Sequence, residues 1–234
     1  MKKNGFTLAE VLITLAIIGV VAVMTLPALI TNTGEQQAKT ALKKGINTLT
    51  EAAQMNASIA GFDYSSITSS DAGNGHEETQ SLYGLLANRA AVDFATSGNS
   101  TTVDQVSHQG SSSDSMSTGN YTVFFRDGSS LSFSPANAHM GDSTANKLET
   151  DGVVHGIKAI YDTNGKKGPN VLSYCAGTGN PNILGNATDN RQGNTDLENY
   201  CAKNKRVIKD QFGVRLRGYY AVPNGAAARW AFGN

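Results

Sequence analysis

The stretch Phe6-Thr7-Leu8-Ala9-Glu10-Val11-Leu12-Ile13 leads into an uncharged run from Val11 to Ile30, and its reading decides the fold. The 20 residues of that run span about 30 Å as a helix, enough to cross the hydrocarbon core of a bilayer. Lys2 and Lys3 precede it, which favours a cytoplasmic N-terminus by the positive-inside rule. A cleavable secretory signal carries its small-residue cut site after the apolar stretch. Here the run ends in Pro27-Ala28-Leu29-Ile30 and a polar segment without an A-x-A pattern. The small residue and the acid stand before the run instead, at Gly5 and Glu10. An acid in the first turns of a membrane helix is costly, so Glu10 needs a role.

This order of parts resembles the class III leader of type IV pilins and of the pseudopilins of type II secretion. The match lies in Lys2-Lys3-Asn4-Gly5, then Phe6, then Glu10 at fixed distance, then the apolar run, over residues 1–30. The resemblance implies cleavage between Gly5 and Phe6 by a prepilin peptidase, which then methylates the new N-terminal Phe6. It implies that Glu10 guides assembly, and that Gly19 and Pro27 bracket a stretch that loses helicity in assembled filaments. It further implies three partners: other copies of the chain in a helical homopolymer, the peptidase and methylase, and an inner-membrane assembly platform. The location implied is a single-pass inner-membrane precursor, then a cell-surface or periplasmic filament.

Past the run, the pattern becomes amphipathic. Ala38, Leu42, Ile46, Leu49, Ala53 and Ala57 recur at steps of three and four, one face of a helix. Continuing from the apolar run, this predicts one helix of roughly 55 residues with a kink at Pro27, which lacks a backbone N–H. Residues 81–95, with Leu82, Leu85, Leu86, Ala90 and Phe94, read as a second, short helix. The Ser, Gly, Thr and Asn tracts at 65–75 and 96–120 read as loops.

After Asn120 the period becomes two. Tyr121–Arg126, Asp127-Gly128 and Ser129–Ser134 predict a hairpin turning at Asp-Gly. Residues 153–161 and 170–174 predict a second strand pair, and 212–222 a further strand. The expected fold is α+β: a long N-terminal helix, its hydrophobic half projecting, packed on an antiparallel sheet in the pilin-like manner. The divisions expected are a leader at 1–5, a membrane or filament-core helix at 6–30 and its amphipathic half at 31–60. A variable helix-loop region at 61–120 and the sheet at 121–234 follow.

Lys+Arg and Asp+Glu both total 19, and that balance argues against a nucleic-acid binder, which needs a clustered basic excess. The charges are unevenly placed. Residues 61–120 hold seven acids and one base, whereas 201–234 hold seven bases and one acid. Opposite signs on one subunit suit contacts between neighbours, although such runs are also ordinary solvated surface. No nucleophile motif or phosphate loop is present, and His76, His108, His139 and His155 lack metal-ligand spacing. No enzyme, cofactor or metal is therefore expected. Asp162-x-Asn164-Gly165 begins like a calcium loop, but Lys166 and Ser173 stand where further oxygen ligands belong. A tight turn is the simpler reading, although some pilin-like relatives do bind calcium in surface loops.

Cys175 and Cys201 enclose 25 residues, resembling the C-terminal disulfide-bounded loop of many type IV pilins and suiting an exported domain. The reading is a pilin, the structural subunit of a type IV pilus-like filament. Its rivals are a pseudopilin of type II secretion, a minor tip subunit with an adhesive or DNA-uptake role, and an anchored binding domain that never polymerises.

Overall fold

The computed structural model describes residues 5, 7–67, 80–96, 121–133, 156–165, 167–168, 170–175, 206–224 and 226–233. The chain divides into two compact units, one ending at Gln37 and the other beginning at Ala38. Helix α1 runs Leu8–Ala60, 53 residues, close to the length the two hydrophobic patterns predict together. Its backbone stays helical through Pro27.

In the second unit, Leu42, Ile46, Leu49 and Ala53 of the expected stripe are buried, and Ala52 joins them. The sheet they meet has six strands: β1 (Val92–Thr96), β2 (Tyr121–Phe125), β3 (Ser130–Phe133), β4 (Ile157–Asp162), β7 (Gln211–Arg217) and β8 (Tyr220–Pro223). They lie in that spatial order and every neighbouring pair is antiparallel. A two-stranded sheet of β5 (Tyr174–Cys175) and β6 (Arg206–Val207) is inserted between β4 and β7.

Alternation sends Val123, Leu131, Phe133, Ala159, Phe212, Val214 and Leu216 into one core with the α1 stripe. Tyr161 of β4 lies against Gly45 of α1, where a Cβ would overlap its ring. The close approach of helix and sheet at this point therefore depends on glycine. A single 3-10 turn, Tyr64–Ser66, closes the end of the helix. The Tyr64 hydroxyl is buried and donates to the Leu49 carbonyl at 2.7 Å. Thr50 of α1 accepts from the Ala221 N–H of edge strand β8 at 3.1 Å. Thr122, Ser130, Ser132, Asp162, Gln211 and Arg215 alternate onto the opposite face and are buried as well.

The Asp-Gly hairpin forms as expected between β2 and β3, with the Asp127 carboxylate accepting from the Ser129 N–H at 3.1 Å. Three other expectations change. Helix α2 covers only Leu82–Arg89, capped by the Ser81 hydroxyl, which accepts from the Gly84 N–H at 2.9 Å. The remainder of that segment is strand β1. Val92 and Phe94 are β-formers, and pairing with Phe125 and Phe124 outweighs a last helical turn.

The expected pairing of 153–161 with 170–174 is replaced by β4 against β7 and β5 against β6. Asp162 opposes Gln211 and accepts from its side-chain amide at 2.8 Å, which fixes that register. The single strand at 212–222 is two strands. They turn at Gly218, whose φ of +49° suits the first position of a two-residue hairpin loop. A third helix, α3 (Ala226–Gly233), was not expected. Its Ala227, Ala228 and Ala231 enter the core, and Lys39 Nζ lies 3.7 Å from the centroid of the Trp230 ring. Of the loop tracts expected at 65–75 and 96–120, Ser65 and Ser66 belong to the 3-10 turn and Thr96 ends β1, while residues 68–75 and 97–120 lie outside the described residues.

Candidate functional site

The start of α1 is held by a reciprocal pair of side chains. Thr7 N–H and Thr7 Oγ1 both donate to Glu10 Oε2 at 2.9 Å, and Glu10 N–H donates back to Thr7 Oγ1 at 3.3 Å. This is a capping box: it satisfies backbone donors that a helix start leaves open, and it sets an acid at the positive end of the dipole. Glu10 is therefore placed by its own helix, with its side chain exposed. Thr7 was not among the expected site residues, although T-x-x-E before an apolar run is the signature of this cap.

From Val11 to Leu26 the helix offers no polar face. Leu8–Leu26 is a 19-residue span of mean hydropathy 2.4, long and apolar enough to cross a membrane, and none of it is buried. Leu12, Ile13, Leu15, Ile17, Ile18 and Val20 are each 58–64% exposed. The hydroxyls inside the apolar run donate to the helix itself, Thr14 to the Val11 carbonyl at 2.9 Å and Thr25 to the Val21 carbonyl at 3.0 Å. Such bonds lower the cost of placing threonine in an apolar medium, where every polar group must be satisfied internally. This surface needs lipid or other helices around it, because the apolar area would otherwise face water.

The expected site residues are distributed as follows. Gly5 is exposed just before the capping box, and Phe6 lies outside the described residues. Gly19 sits within α1 with open space where a Cβ would point. Cys175 ends β5, paired with Arg206 of β6, and Cys201 lies outside the described residues. The four histidines do so too. Among the described residues no three His, Cys, Asp or Glu side chains stand together as a metal cluster would require.

The Asp162-x-Asn164-Gly165 segment is a turn tied by two carboxylates. Asp162 Oδ1 accepts from the N–H groups of Asn164 and Gly165 at 2.9 and 2.8 Å. Asp210 accepts from the N–H groups of Asn170 and Val171 at 2.7 and 2.8 Å. Burial pushes the Asp162 carboxyl up to about 6, and the charge of Asp210 adds to the rise. Its donors act in the opposite sense.

A family model described as the prokaryotic N-terminal methylation motif matches residues 1–26. No curated protein and no solved structure matches the chain. The sheet and long helix agree with a pilin-like α+β fold, and the motif covers the same residues as the capping box and most of the apolar span. The N-terminus of this chain is the class III prepilin leader of type IV pilins and pseudopilins.

Proposed function

We propose that the chain is a pilin, the structural subunit of a type IV pilus-like filament, and that it has no enzymatic role. The observation that carries this reading is the leader motif continuing into an apolar helix with no cover of its own. In this account the prepilin peptidase cuts after Gly5, Phe6 is methylated, and residues 6–30 leave the membrane to form the filament core. Residues 31–60 then seat the helix on its head, 61–120 form the variable region and 121–234 the sheet.

N-methylation leaves the Phe6 amine positive. That amine, on an incoming subunit, pairs with Glu10 of its neighbour, and Glu10 exchanges the Thr7 cap for a full charge. The pairing removes two isolated charges from an apolar core, where each is expensive. Gly19 and Pro27 supply the places where the helix yields in the filament. Cys175 and Cys201 close a disulfide worth about 3–4 kcal/mol in the chain-entropy model. Thiol labelling of the denatured, unreduced protein should then find no free cysteine.

Shearing the cells and pelleting surface filaments tests the assignment. The protein should dominate the pellet in processed form. A protein that stays with the cells while filaments are recovered without it overturns the pilus reading.

A further inference from the structure

Helix α1 carries four consecutive poor helix formers in its interior, Thr31-Asn32-Thr33-Gly34. Each threonine and the asparagine weaken a helix about threefold relative to alanine, and glycine does so about fivefold. Together they weaken the local helix roughly a hundredfold against four alanines. Threonine loses side-chain freedom against the preceding turn, asparagine competes for backbone groups, and glycine gives up the most backbone entropy. Thr33 Oγ1 also donates to the Leu29 carbonyl at 3.0 Å, a back-bond that bends helices.

Tertiary packing ordinarily offsets such a deficit. Elsewhere in α1 it does. Gly45 lies against the Tyr161 ring, and Asn47-Thr48 stand between the buried Ile46 and Leu49. Thr33 and Gly34 are exposed instead, with open space where a Gly34 Cβ would point. The apolar span ends at Leu26, and the first α1 residue packed against the core of the head is Ala38. Residues 31–34 lie past the one and short of the other.

We propose that residues 31–34 are a joint in α1, where the helix opens and recloses so that the apolar span takes its own direction. The joint is distinct from Pro27, whose ring locks its own φ, whereas Gly34 leaves the helical conformation freely. It lies within the first of the two units, which ends at Gln37. It does not rest on the filament reading, since an anchor in lipid uses it equally. Each helical bond runs from an N–H to the carbonyl four residues back. Opening at 31–34 therefore frees the N–H groups of residues 32–37.

The test is residue-resolved amide hydrogen exchange of the full-length protein in detergent micelles. A second sample carries nitroxide labels at the exposed positions Val23 and Gln37, which bracket the joint. Amides 32–37 should exchange about tenfold or more faster than those of 42–49, and the label-to-label distance should be broadly distributed. Gly34→Ala should slow exchange at 32–37 about fivefold and narrow that distribution. Gln37→Ala, at an exposed position already held by a good helix former, should change exchange less than about twofold. Exchange at 32–37 as slow as at 42–49 overturns the joint, and so do equal responses to the two substitutions. Slower exchange in Gly34→Ala with an unchanged distance distribution overturns it as well, because the helix then frays without turning. Each of these results leaves the filament reading standing.

Discussion

Glu10 holds two possible functions in one side chain, and substitution separates them. As the partner of Thr7 it needs only acceptor oxygens, which Gln supplies equally well in a capping box. As the partner of a neighbour's amine it needs its charge. Glu10→Ala and Glu10→Gln should both leave membrane insertion and leader cleavage intact, and both should abolish or sharply reduce filaments in a shearing assay. Normal filament yield from Glu10→Gln would reduce the residue to a cap. Asp162 makes the stability of the head depend on pH. Its carboxyl titrates near 6 in the fold and near 3.8 when unfolded, so the folded state holds the proton more tightly. Stability is lost as pH rises through that window and is level above it. Asp162→Asn keeps an acceptor for the turn and removes the charge. Relative to wild type it should gain on the order of 2–3 kcal/mol between pH 4 and 7, as read by denaturant unfolding at several pH values. A difference independent of pH would refute the assignment.

Among the elements, α1 was the most legible in the sequence. Val11 to Ile30 is apolar without interruption, and Ala38 to Ala57 repeats at helical steps, so both halves declare themselves locally. The β2–β3 hairpin was legible for a similar reason, since Asp127-Gly128 fixes its turn within a few residues. The pairing of β4 with β7 was not. It joins Asp162 to Gln211 across an insertion of 48 residues, and no local pattern reports a contact at that separation. Helix α3 was missed although Ala226-Ala227-Ala228 is a strong helix-forming run. The cap at Thr7 is legible in the T-x-x-E spacing to Glu10, a signal as local as the charge itself. Where α1 meets the sheet, Gly45 permits contact with the Tyr161 ring. Gly45→Ala improves helix propensity by about 1 kcal/mol yet places a methyl inside that ring's volume. The net effect should be a loss of about 1–3 kcal/mol in chemical denaturation. Gly34→Ala, where a Cβ meets nothing, should not destabilise at all. Equal responses at the two sites would show that the helix does not seat on Tyr161.

On the scale of the whole molecule, the chain combines a head with its own core and a helix start whose apolar surface has none. The described core of the head is drawn from α1 beyond Gln37, the sheet and α3. In the proposed filament the apolar span exchanges lipid for a bundle of like helices, while the head keeps a core of its own. That exchange requires the leader to be removed first, because Lys2 and Lys3 would otherwise be drawn into the apolar bundle. Assembly of the proposed filament begins with cleavage at one bond. Intact-mass spectrometry of the mature protein tests it directly. The account predicts a chain that lacks residues 1–5 and begins at Phe6 with one added methyl group. A mature protein that retains Lys2 and Lys3, or one cut beyond Ala22, would contradict it.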